Sequence, residues 1–363
     1  LDGFTLAFPG EADADELEYC RSVADHVGRP IAELAPSAPT LDWFREYGRR
    51  CKSFPYYPNG VMGLGIRQKA RENGSRALMC GVGGDQWLGG DLSYYADAIG
   101  AGRWNELISL IDNDRRAFGA ISMPFLLLRH GLYPLLPEGV RRVARLLSKQ
   151  ERPAGVDLDS LLTPAMRDLL RERREACRDQ SADGTQWISQ RGRRLMLTGA
   201  YSTLARELEE KMASGAGIEL RQPLFSAAIV QFAFSTPEKW LRRGKIDKYL
   251  HRQAMKGLLP EKVRQRQSKA EFTCVYEAYR SQLLEELRNT TAGRGVPWIE
   301  DSKLSTILRR DDEDDTEIRA VKLRVMWNLF GCLALSGSPE DEGAADLRRK
   351  LIAQAIIFRQ DRS

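Results

Sequence analysis

Apolar positions in the first 95 residues come in short runs, separated by turn residues and by stretches of helical spacing. Phe4-Thr5-Leu6-Ala7-Phe8 predicts a strand closed by Pro9-Gly10, and Ile31-Ala32-Glu33-Leu34 predicts a second. Between them, Leu17, Cys20, Val23, Ala24 and Val27 fall on one face of a helix over 15–27. Another helix, over about 59–72, leads through Asn73-Gly74 to a third strand at 77–80, which ends in a glycine-rich turn. This alternation predicts an α/β fold: a parallel sheet with ligands at the carboxyl ends of its strands. After residue 100 the strand signal fades and helical spacing dominates, closing with a long helix over 318–335. The chain then divides into an α/β part (1–95), a predominantly helical remainder (96–335) and a polar tail (336–363) with a last helix over 347–358. Residues 148–184, with a heavily charged helix-like middle, are expected to be mobile, and 148–190 is a candidate lid. No internal repeat is present.

Composition removes several classes of function. With 42% hydrophobic and 29% charged residues the chain is ordinary for a globular protein, and its 363 residues suit one large or two unequal domains. The greasiest run, Phe125-Leu126-Leu127-Leu128, is far short of the roughly 18 apolar residues of a membrane span. Six cysteines without a CxxC pair predict reduced thiols and a cytoplasmic setting. Three histidines, His26, His130 and His251, lack metal-ligand spacing, which argues against zinc. A net charge of +5 is mild, and the arginine-rich stretches read as solvated helix faces, so no nucleic-acid partner is expected. The acidic run Asp311-Asp312-Glu313-Asp314-Asp315 reads as a solvated loop or helix start.

The chemistry concentrates in three places. Gly81-Val82-Gly83-Gly84-Asp85-Gln86-Trp87-Leu88-Gly89-Gly90 sets one carboxylate among five glycines at a strand end. Glycines there let main-chain N–H groups approach a phosphate, and one carboxylate can hold the magnesium that travels with polyphosphate. Glu219-Leu220-Arg221-Gln222-Pro223-Leu224-Phe225 follows a stretch of small residues. Then come Lys248 and Arg252, four apart and so expected on one helix face to grip phosphate, with Leu258-Leu259-Pro260 ending that helix. Lys269 stands in the loop beyond.

In this order the motifs resemble the synthetase domain of the asparagine synthetase family, which includes β-lactam and carbapenam synthetases and the macrolactam cyclases of lasso peptides. Phe4 to Gly10 resembles the family's second strand, and Glu16 with Tyr19 resembles its Glu-x-x-Tyr-Ala helix. The glycine turn resembles Gly-x-Gly-x-Asp-Glu-x-x-x-Gly, and Glu219 to Phe225 resembles Glu-x-Arg-x-Pro-Phe-Leu-Asp. Lys248 to Pro260 resembles Lys-x-x-Leu-Arg…Leu-Pro, with His251 in the leucine place. The resemblance runs from residue 4 to about 335 and implies a PP-loop ATPase core (adenine nucleotide alpha hydrolase-like) followed by a mostly helical region. It implies that ATP and Mg2+ are used to adenylate a small-molecule or peptide carboxylate, with release of pyrophosphate. An amine, either ammonia from an upstream glutaminase domain or an amine of the substrate, then forms the amide. It further implies roles: Asp85 as the magnesium ligand, Lys248 on pyrophosphate, and Lys269 on the charge of amide formation. Leu6, Gly81, Gly83, Gly84 and Arg252 would contact nucleotide. A homodimer is compatible with this reading.

Four departures shape the expectation. The family's Ser-Gly-Gly-x-Asp-Ser loop and its strand are absent; because residue 1 is Leu, they are expected upstream. Gln86 replaces the acid after Asp85. Val82 stands where asparagine synthetases carry Glu and β-lactam synthetases Tyr, and an apolar side chain cannot deprotonate an amine. Ser226 replaces the last Asp of its motif, and the segment Arg266 to Phe272 is one residue long, so that Lys269 is aligned from Phe272 and Ser268 from Arg266. These changes favour a specialised acid over free aspartate. The alternative is a scaffold that keeps the fold without a working ATP site.

Overall fold

The computed structural model describes residues 1–55, 57–147, 161–182, 187–291, 298–309 and 316–335. Strand β1 (Gly3–Leu6) runs parallel to β2 (Ile31–Leu34), with Phe4 opposite Ala32. The helix Leu17–Val27 makes the crossover and stops at Gly28, whose left-handed φ of 62° lets its N–H close the last turn. Strand β3 (Ala77–Met79) runs parallel to β4 (Glu219–Arg221), with Leu78 opposite Leu220. Strands β5 (Arg242–Arg243) and β6 (Ile246–Asp247) form an antiparallel hairpin.

The structure corrects two expectations. Strands do occur beyond residue 100: β4 joins the first part of the chain to the second, and the hairpin follows. Neither carries a readable period, since β4 has one buried position between two charged residues and the hairpin is charged at three of its four strand positions. The parallel strands also form two separate pairs, not one sheet. The pairs meet through side chains: Phe4, Leu78 and Cys80 pack on Ala70, Ala213, Ile218 and Leu220. The charged segment 148–184 contains the helix Pro164–Ala182. Residues 148–160, 183–186, the acidic run 311–315 and the tail from 336 lie outside the described residues, and with them parts of the candidate lid and the last helix.

The main core is aromatic. Trp327, on the long helix Thr316–Leu335, is fully buried edge-on to Phe44 at 4.8 Å, and its indole N–H donates to the Pro55 carbonyl at 2.8 Å. Gly331, one turn further, leaves room for Phe54, whose ring lies 2.5 Å from where a Cβ would stand. This core holds Phe54 and Pro55 in place. None of the described helices is long and apolar enough to cross a membrane, and five of the cysteines are free thiols.

Candidate active site

The site is assembled at the carboxyl end of β3. The ladder continues one residue past the strand, Cys80 N–H donating to the Arg221 carbonyl at 3.0 Å, and the chain then enters the helical turn Gly84–Trp87. Gly83 has φ 112°, and a Cβ there would stand 2.8 Å from Leu224, so only glycine fits. The amides of Gly83 and Gly84 are taken up within the turn: Gly83 N–H donates to Gln86 Oε1 at 2.9 Å, and Gly84 N–H to the Gly81 carbonyl at 3.3 Å. Gln86, standing where the family's acid is expected, thus caps its own helical turn. Trp87 is fully buried against Phe225, with ring centroids 5.1 Å apart. With its neighbours pinned on both sides, Asp85 is left 59% exposed at the mouth.

Gly89 and Gly90 bring the first lysine to it. A Cβ on Gly90 would lie 2.6 Å from that of Arg242, and one on Gly89 would lie 3.1 Å from Asp247 Oδ2, so the β5–β6 hairpin seats directly on glycine backbone. Gly90 N–H donates to Asp247 Oδ1 at 3.0 Å. The next residue, Lys248, has φ 54°, and with Lys52 it forms the pair of non-glycine residues with positive φ among the described residues. That conformation costs about 1–2 kcal/mol and turns the Lys248 ammonium into a hydrogen bond with Asp85 Oδ1. Because Lys248 precedes the helix Tyr249–Ala254, it does not share a helix face with Arg252. The Arg252 guanidinium instead donates to the carbonyls of Asp247, at 2.8 Å, and Arg264, bracing the turn from behind.

The second lysine arrives on a loop held at both ends. Arg266 pairs with Glu16 and lies over the Tyr19 ring at 4.2 Å, and Glu271 N–H donates to the Asp13 carbonyl at 2.9 Å. Between these anchors Lys269 Nζ reaches Asp85 Oδ2 at 3.4 Å, while Ser268 Oγ accepts from Arg266 Nε at 3.2 Å. The structure therefore puts Lys269, and not Ser268, beside Asp85. Glu16 and Tyr19, quoted above only for their family resemblance, are what hold that loop.

One carboxylate thus faces two ammonium groups. Burial pushes the Asp85 carboxyl upward, but the hydrogen bonds and charges of Lys248 and Lys269 outweigh it and hold it below its ordinary value. Burial, with Lys248 and Arg252 nearby, holds His251 below its ordinary value. The excess positive charge suits an anion. For magnesium, Asp85 offers one oxygen donor set, and no group of three His, Cys, Asp or Glu gathers among the described residues. That donor set fits an ion delivered on polyphosphate, bound chiefly by phosphate and water oxygens, and not a protein-caged ion.

At the other end of the turn, sequence reading missed a buried pair. Arg193 forks onto Glu238 with bonds of 2.8 and 2.7 Å, their side chains 6% and 5% exposed. Glu238 also accepts from Asp91 N–H at 2.8 Å, which locks the exit of the glycine turn. Nothing in the local sequence marks either residue; for Asp247, the Gly89-Gly90 pair was the available signal, since adjacent glycines announce a close backbone approach. Leu6 ends β1 half-buried against the main core, and Gly81 is exposed with open space around a notional Cβ. Val82 and Gln86 line a cavity of about 280 Å3.

Comparison with known proteins gives one family: the model described as asparagine synthase matches residues 1–332. No curated protein matches the chain.

Proposed function

The chain belongs to the asparagine synthase family, whose members are ATP-dependent amide ligases, and from that premise we propose that it adenylates a carboxylic acid and passes the acyl group to an amine. The observation that carries this reading is Asp85 held between Lys248 and Lys269, residues 163 and 184 positions away in sequence. A carboxylate oxygen of the acid attacks the α-phosphorus of ATP, and the bond to pyrophosphate breaks. Lys248, fixed by its backbone turn and by Asp85, neutralises the oxygen that departs with pyrophosphate. Magnesium entering on ATP would be held by Asp85 and would supply further charge neutralisation. The amine nitrogen then attacks the acyl carbon, AMP leaves with the bonding electron pair, the nitrogen's surplus proton passes to solvent, and Lys269 stabilises the oxyanion of that step. Leu6, at the end of β1, and Gly81, just past β3, would offer backbone groups to the adenylate. Arg252 acts as a positioning residue for Lys248.

Acid-dependent exchange of labelled pyrophosphate into ATP by the full-length protein tests the reading. Exchange is expected with at least one acid, and to fall about a hundredfold or more in Lys248→Ala and Asp85→Asn. It should be unchanged in Arg21→Ala, which breaks only the exposed pair with Glu33. No exchange with any acid, and no binding of ATP, would leave a scaffold in place of an enzyme.

A further inference from the structure

The cavity lined by Val82 and Gln86 does not end there. A second cavity, of about 500 Å3, borders the Lys269 loop at Phe272 and Thr273, and Tyr57, Asn59, Tyr201 and Ser202 line both. The cleft so formed is large and aromatic: Tyr57 stands edge-on to Tyr201 and Tyr276, with ring centroids 6.5 and 5.8 Å apart. Phe54, Leu204 and Leu208 give the first cavity an apolar wall.

The charged groups along the cleft make ion-pair, hydrogen-bond or ring contacts. Glu209 pairs with the buried Arg67, the Arg206 guanidinium lies over the Phe225 ring at 4.7 Å, and that of Arg324 lies over Tyr57 at 5.4 Å. Glu271 accepts from the Thr273 hydroxyl. Among the described residues of the cleft walls, two buried donors lack a hydrogen-bond partner: Arg324 Nε in the second cavity and the neutral amide Gln222 Nε2 in the first. A buried amide N–H left unpaired is unfavourable, so a ligand acceptor beside Gln222 is favoured.

We propose that the acid activated at Asp85, Lys248 and Lys269 is a hydrophobic peptide-like acid, its apolar body spread along both cavities and one of its amide carbonyls accepting from Gln222. This rests on the adenylation reading for the site, but the binding of the acid can be measured apart from it. The probes are N-acetyl-Phe-Leu-Gly acid, N-acetyl-Glu-Ser-Gly acid and free aspartate, titrated calorimetrically into the full-length protein with and without ATP.

The apolar peptide is expected to bind about tenfold or more tightly than the other two. Ala205→Trp, which fills the first cavity, should weaken it by about tenfold or more, and Gln222→Met by about fivefold, with ATP affinity unchanged in both. Thermal melts confirm that each variant folds, and the milder Gln222 change carries the test if the tryptophan variant does not. Equal or tighter binding of aspartate, or indifference to both substitutions, overturns the proposal. If aspartate supports pyrophosphate exchange and the apolar peptide does not bind, this inference falls while the adenylation reading stands. If the apolar peptide binds with the expected losses and no acid supports exchange, the reaction is wrong and the binding preference remains.

Discussion

Two carboxylates flank the same glycine turn, and each is held by basic side chains, yet they are built in opposite ways. Glu238 is buried, meets the planar fork of Arg193 with two parallel bonds and takes a third from Asp91 N–H. Asp85 is 59% exposed and faces two lysines whose ammonium groups keep most of their hydrogen-bonding capacity. Removing two charges from water is expensive, and burial pushes the Glu238 carboxyl upward against its bonds to Arg193 and Asp91. An exposed cluster contributes little to stability, because water screens it and long side chains lose entropy on pairing. The strained backbone is also on the exposed side, at Lys248. The first arrangement locks the end of the turn. The second holds charge ready for an incoming anion.

That contrast can be broken at several points. The largest effect is expected at the buried pair: Glu238→Ala strands the Arg193 cation and should cost about 3–5 kcal/mol in urea unfolding. Gly90→Ala drives a Cβ into Arg242 and should cost about 1–3 kcal/mol, with loss of pyrophosphate exchange as Lys248 moves off Asp85. Lys248→Gly relieves the left-handed strain and should raise stability by about 1 kcal/mol while exchange falls about a hundredfold. A stabilising change that abolishes activity would be hard to explain if Lys248 were only a surface lysine. Asp85→Asn should move stability by less than about 1 kcal/mol, far below the effect at Glu238.

The smallest effect is in pH. The folded pKa of His251 lies below the ordinary 6.5, so the unfolded chain takes the proton first. Its contribution is present above 6.5 and is lost as pH falls through that value toward the folded pKa. Asp85 is depressed below 3.8, so its contribution is lost only in stronger acid. Unfolding of His251→Leu followed from pH 8 to 5 should show a flatter decline than wild type.

How much of this was legible in the sequence follows from how local each feature is. Strands β1 to β3, the helix Leu17–Val27 and the helix Thr316–Leu335 are carried by runs and periods within one segment, and they could be read directly. The glycine turn was readable as a site because its spacing is local too. Strand β4 was not, because three residues with one buried leucine set no period. The hairpin was not, because charged strands give no hydrophobic signal and its partner is the backbone of Gly89 and Gly90. Lys248 was placed on the helix it actually precedes, since a left-handed non-glycine residue has no sequence signature and exists only where tertiary contacts impose it. Arg193 and Glu238, 45 residues apart, pair by tertiary packing alone.

The most direct test of the Asp85 cluster as an anion site needs no knowledge of the acid. Magnesium pyrophosphate would be titrated calorimetrically into the full-length protein and into Lys248→Ala, Lys269→Ala and Arg21→Ala. Loss of a charge-assisted contact should weaken binding by about tenfold or more in Lys248→Ala, less in Lys269→Ala, whose charge serves the amide-forming step, and leave Arg21→Ala unchanged. Equal affinity across all four proteins would contradict the account, because Lys248 would then have no part in holding the leaving group.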